Sequence, residues 1–348
     1  MDDAAYASAG AHPWDVVDVV TLGESMVTFL PSRPGRLADV PSFDRAIGGA
    51  ESNVACALAA FGHTARWVGR VGADGFGDHL VERIAGYGVD VSAVRRDPGR
   101  PTGVYFRTAG DRGTGAHEVA YYREGSAASA MSTGNVDLAA VRAGRVLHLS
   151  GITAALSGDC LALMRALTAP RAGRPLLSFD VNHRPGLPGT DPPALLELAR
   201  RADLVFVGED EAEQVWGVTG GPAAIRAALP EPAVLVVKQG AGGATAFDGE
   251  PLFEPAPHTS VVAPTGAGDA FAAGFLSATL RGLPVRDRLR HGHLMAAATL
   301  TAPGDLAAPP ARDHADRLAA LDDDAWGRLR LGPGWTHADR APQEANTP

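Results

Sequence analysis

Six short apolar runs recur along this chain, each followed by a stretch of different period. They are VVDVVTLG (16–23), ARWVGRVG (65–72), RVLHLSG (145–151), PLLSFDVN (175–182), ADLVFVG (202–208) and PAVLVVKQG (232–240). Each is short, apolar and closed by turn residues, which is the pattern of a strand covered on both sides. Between them lie segments with apolar residues at helical spacing, such as ESNVACALAAF (51–61) and GFGDHLVERIAGYG (75–88), the latter closed by glycine. Repeated strand-then-helix order leaves few solutions. The expected fold is α/β: a mostly parallel central sheet with helices on both faces.

Two segments break the rhythm. Residues 26–47 and 101–123 contain MVTFLP, TGVYFRT and HEVAYYR, with turn residues and no crossover helix. They read as strands that leave the main sheet and pair as a small β lid, inserted in one domain over 15–310. Residues 311–348 are expected to hold a C-terminal helix and a tail whose last dozen residues are disordered.

At 348 residues and 45% hydrophobic, the chain can bury a large core. No apolar run reaches the length of a membrane helix, and MDDAAYASAGAHPWD lacks a basic start and an apolar core. Its two cysteines, Cys56 and Cys160, sit in apolar helical contexts and form no disulfide framework. A cytoplasmic location is expected, with no membrane partner. A net charge of -9 argues against a nucleic-acid partner.

Several chemistries are excluded by inspection. The chain has one lysine, Lys238, and it follows Val237, so no Gly-Lys-Ser/Thr loop exists. No Gly-x-Ser-x-Gly elbow and no His-Glu-x-x-His occurs. His291 and His293 fall two apart on a helical stretch, where side chains diverge. What is present is APTGAGDAFAAGF (263–275), led in by the strand-like run SVVA (260–263). Glycines there let backbone N–H groups turn inward, and the helix behind them adds its positive end, making an anion cradle. A carboxylate beside an anion cradle repels an anion that is merely bound. It makes sense as a group acting on a neighbour of that anion: Asp269 takes the proton of an attacking hydroxyl. The competing reading is that Asp269 only caps the helix.

With GGAESNVACALAAFGHTARWVGRVGADGFG (48–77), this segment makes a pair of separated motifs. Together they resemble the two signatures of the ribokinase-like (PfkB) carbohydrate kinase family. The resemblance runs over most of the chain. It implies a three-layer α/β/α fold and ATP-dependent phosphoryl transfer to a sugar hydroxyl, with ATP and Mg²⁺ as cofactors. It puts Asp269 at the catalytic-base position and Gly266, Ala267 and Gly268 at the anion hole. KQGAGGATAF (238–247) resembles the nucleotide segment, so Lys238, Gly240 and Gly243 are expected beside the ATP phosphates. In GEDEAEQVWG (208–217) Glu211 matches a glutamate that organises Mg²⁺ through water, while Gly208 replaces the usual amide. Ala263 stands where the family commonly has aspartate.

Within the family, GGAESN, TGVYFRT, YYREGSAASAM, LHLSGIT and DVNHR most resemble the 2-keto-3-deoxygluconate kinases, which serve an Entner–Doudoroff-type route. That implies a small sugar-acid partner, met by Gly49, Asn53, Tyr105, Tyr121, Arg123 and Arg184. Either arginine can hold a carboxylate in bidentate fashion, while His183 replaces a frequent tyrosine. Two alternatives stay open: the same chemistry on a neutral sugar, as in fructokinase or ribokinase, and a non-catalytic sugar sensor. Unpaired lid edges favour a homo-oligomer.

Overall fold

The computed structural model describes residues 14–108, 119–184, 187 and 189–337. Part of the 101–123 lid segment and nearly all of the expected tail lie outside the described residues.

The six apolar runs do form the centre of the molecule. Ala65–Val68, Val17–Leu22, Gly144–Ser150, Leu176–Asp180, Leu204–Gly208 and Val234–Lys238 lie side by side, all parallel. Gly243–Phe247 and Pro251–Pro255 extend that edge in antiparallel order. Alternate side chains serve opposite faces. Val19, Phe206 and Val236 pack under the helices Ala50–Ala60, Ala267–Leu280 and Val285–Leu300. Val20, Leu22, Val205 and Val207 pack on the other side with Leu163 of Gly158–Thr168, Leu198 of Pro192–Arg201 and Ile225 of Gly221–Ala228. The result is a three-layer α/β/α molecule. Among the described residues no helix is long and apolar enough to cross a membrane. Cys56 and Cys160 are buried free thiols.

The strands expected to form a lid make a separate four-stranded sheet in the order Phe43–Gly48, Met26–Pro31, Val104–Arg107, Val119–Tyr122. Its register aligns Thr28, Tyr105 and Tyr121 on one face. Phe29, Phe106 and Tyr122 share the other, where Phe29 and Phe106 stack at 4.6 Å.

Two expectations need correction. ARWVGRVG is not one strand. It divides at Gly69 into Ala65–Val68, in the main sheet, and Arg70–Gly72, which pairs with Arg95–Asp97. A Cβ at Gly69 would come within 2.6 Å of the Trp67 ring and 2.9 Å of the Gly23 carbonyl, so glycine lets the chain leave the sheet there. SVVA is not a strand either. Val261 and Val262 are 60% and 53% exposed, and the Val262 N–H donates to Leu300 at a helix end instead of to a sheet edge. The region after residue 310, where a helix is expected, holds the helices Arg312–Ala319 and Asp323–Gly327 and a short strand, Arg330–Leu331. Ala315, Ala319 and Trp326 bury against the core, which is why they order.

Candidate active site

Open α/β sheets place their functional groups at the carboxyl ends of the strands, where helices begin and backbone N–H groups point outward. Here Ser150, Asp180, Gly208 and Lys238 are each the last residue of a parallel strand. Facing them is the N-terminus of Ala267–Leu280. Its N-cap, Gly266, has φ 81°, and a Cβ there would meet the Asp305 carbonyl at 2.2 Å. Both constraints require glycine. Small residues continue along the helix because it runs close to Val285–Leu300: a Cβ on Gly274 would lie 2.3 Å from the His291 carbonyl.

Asp269 is the third residue of this helix and 7% exposed. It is not the N-cap, a position that Gly266 takes. Instead its carboxylate accepts Nδ2–H groups from Asn53 (2.8 Å) and Asn182 (3.3 Å). Burial pushes its pKa up to about 6; Asn53, Arg184 and Lys238 act against that, and Asp180 adds to it. A carboxyl group poised near neutrality is suited to taking a proton. The Asn53 Oδ1 is buried with no partner among the described residues, an acceptor left free for a hydroxyl.

Lys238 donates from Nζ to both oxygens of Asp180 at 3.0 Å, and Glu211 lies 3.9 Å away. Burial pulls its pKa down, but Asp180 and Glu211 outweigh that and raise it above the ordinary lysine value. The ammonium points at the helix N-terminus, 3.7 Å from where a Gly268 Cβ would stand. Glu211 also accepts the Gly208 N–H at 2.5 Å, closing the first turn of Glu209–Trp216. Gly240 is exposed at the turn that follows Lys238. Gly243 is needed for the hairpin: its φ is 140°, and a Cβ would strike the Glu254 carbonyl at 2.4 Å.

On the lid side, Tyr105 is buried and donates to Asp305 at 2.6 Å, and Arg107 pairs with the same carboxylate at 2.8 Å. Gly49 caps Ala50–Ala60, where a Cβ would come within 2.5 Å of the Glu24 carbonyl. Tyr121, Arg123 and Arg184 line one cavity of about 680 Å³ with Ser129 and Leu156. Arg123 is ion-paired to the buried Glu24, which also accepts the Ser126 hydroxyl at 2.6 Å. Arg184 is exposed, and its guanidinium acts on both Asp269 and Asp305.

The sequence-derived set therefore divides. Asn53, Arg184, Lys238 and Gly266 to Gly268 gather around Asp269, while Tyr121 and Arg123 join them through the cavity that Arg184 shares. Four residues were missed. Asp180 and Asn182 stand in the same DVNHR stretch as Arg184, and Asn182 has a strained φ of 41°. Glu24 and Asp305 lie in loops with no pattern to mark them.

A family model described as "pfkB family carbohydrate kinase" matches residues 17–312. The chain is 34% identical to a 2-dehydro-3-deoxygluconokinase of Bacillus subtilis over 305 residues, covering 85% of this chain and 94% of that one. It is 34% identical to a second protein of that name from Thermoproteus tenax over 324 residues, 89% and 97% of the two chains. Among solved structures, a PfkB protein from Polaromonas sp. JS666 superposes with a TM-score of 0.75 at 33% identity, covering 88% of this chain and 100% of its own.

Proposed function

Because the chain belongs to the pfkB family of carbohydrate kinases, we propose that it moves the terminal phosphoryl group of ATP to the 6-hydroxyl of 2-keto-3-deoxygluconate. The observation that carries this reading is Asp269: a buried carboxylate, held by two amides, directly behind a glycine cradle at a helix N-terminus. Asp269 takes the hydroxyl proton as the oxygen attacks phosphorus and the bond to ADP breaks. Charge gathering on the phosphoryl oxygens meets the N–H groups of Gly266, Ala267 and Gly268 and the ammonium of Lys238. Asn53 holds the base in place and offers Oδ1 to the sugar.

Among the described residues no group of three or more His, Cys, Asp or Glu is placed to cage a metal. Asp180 and Glu211 are the nearby carboxylates that would hold a Mg²⁺ ion brought with ATP, Glu211 through water. Bound in that way, it would neutralise phosphate charge. Gly240 and Gly243 shape the turn against which the nucleotide lies.

The acidic acceptor is supported by Arg123 and Arg184 in one cavity with Tyr121; Gly49 and Tyr105 close the sugar site from the helix and lid sides. One observation favours a neutral sugar as the second reading: Glu24 already neutralises Arg123. A phosphorylation screen with ATP and Mg²⁺ over sugar acids and neutral ketoses tests both. Preference for the keto acid supports the first, preference for fructose or ribose the second, and no phosphorylation of any sugar overturns the site assignment. The lid's outer edges and its 63%-exposed Tyr122 support a homo-oligomer, which sedimentation would detect.

A further inference from the structure

One buried carboxyl group takes no part in the reading above. Glu51 is the second residue of Ala50–Ala60, two before Asn53, and its exposure is 0%. A first-turn acid on a helix ordinarily points to water. This one points inward. Its Oε1 accepts the hydroxyls of Ser150 (2.7 Å) and Thr153 (2.8 Å), which end one central strand and belong to the turn of helix after it. Its Oε2 is buried with no hydrogen-bond partner. The carboxyl lies against Gly23, where a Cβ would come within 2.1 Å of its carbon.

Among the described residues Glu51 has no cationic partner. The ionisable group that acts on it is Asp269, a like charge. Asp180, Lys238 and Arg184 bear on Asp269. A fully buried carboxylate with two hydroxyl donors, no cation and a like charge nearby is costly, and the neutral acid avoids that cost. We propose that Glu51 is a positioning residue, held as a neutral carboxylic acid, that pins the start of the Ala50–Ala60 helix to the end of the Gly144–Ser150 strand and so sets the Asn53–Asp269 hydrogen bond. Burial pushes its pKa up to about 7, with Ser150, Thr153 and its own backbone N–H acting against it and Asp269 reinforcing it. Ionisation of Glu51 as pH rises puts a new negative charge beside the site that must accept phosphate.

The inference rests on Asp269 being the base, and that reading fails separately if Asp269→Asn stays active. Glu51→Gln keeps an acceptor for both hydroxyls and imitates the neutral acid. Its kcat at about pH 6 is expected within roughly threefold of the parent, while kcat/KM of the parent falls above about pH 7 and that of the variant does not. The folded-state pKa is raised, so the parent loses stability from about 4.5 up through about 7. The Tm advantage of Glu51→Gln should widen over that window and then stay constant. Glu51→Ala should lose kcat by about tenfold or more with the KM for ATP little changed. If Glu51→Ala does not fold, the two pH curves of Glu51→Gln decide alone. A Tm difference that does not change with pH, or a Glu51→Gln enzyme as slow as the alanine variant, would overturn the proposal.

Discussion

Replacing Asp269 by asparagine separates the chemistry of that carboxylate from its structural part. The side chain keeps its shape but cannot take a proton. One amide oxygen still accepts from Asn53 or Asn182, and the other donor then faces an NH₂ group, at a cost of about 1 kcal/mol. Against that, the parent buries a carboxyl whose pKa rises from 3.8 to about 6. A folded-state pKa above the unfolded value means that the penalty is present above the folded pKa and vanishes below the unfolded one. At roughly 1.4 kcal/mol per unit, the penalty approaches 3 kcal/mol on the alkaline side. Asp269→Asn should therefore be at least as stable as the parent at about pH 8 and lose that advantage near pH 4. Turnover should fall by roughly 10²–10⁴-fold, about 2.7–5.4 kcal/mol of barrier. A coupled ADP-release assay of kcat/KM from about pH 5 to pH 9, with thermal melts at the same values, measures both quantities. The parent should show an acid limb near 6. Turnover within a few-fold of the parent would refute the general base. A variant much less stable at pH 8 would show that Asp269 is there for folding.

Lys238→Arg keeps the charge but puts a planar fork where a point charge bridges Asp180 and faces Gly268; the KM for ATP should rise with sugar binding little changed, and parent-like ATP kinetics would remove Lys238 from the nucleotide site. Gly266→Ala combines about 1–2 kcal/mol of left-handed strain with a 2.2 Å clash on the Asp305 carbonyl; loss of both activity and thermal stability is expected, and an unchanged melt would count against the cradle geometry. Arg184→Ala should lower kcat/KM for the keto acid by roughly 10–150-fold, the worth of one charge-assisted hydrogen bond, and narrow its lead over a neutral ketose. Arg123→Ala should do the same but also lower the melting temperature, because it strands the buried Glu24. Equal losses on acid and neutral sugars would make both arginines structural.

Local chemistry makes much of this protein legible in its sequence. Strands covered on both faces must be continuously apolar, so the six runs, their parallel order and the helices between them followed from hydrophobicity and period. Turn chemistry marked Gly266, and a carboxylate behind it marked Asp269, because both effects act within a few residues. The failures have one cause. The strand break at Gly69 and the exposed SVVA run were decided by what lay across the fold, the Gly23 carbonyl and a helix end. The partners of the candidate base were equally remote: Asn53 lies 216 residues from Asp269, and Tyr105 lies 200 from Asp305. Ser150 and Thr153 turn Glu51 inward across 99 and 102 residues, and Glu24 neutralises Arg123 from another loop. Residue type and spacing state what a side chain can do. Only the packed structure decides which charge meets which partner, and thereby which carboxyl group stays ready to take a proton.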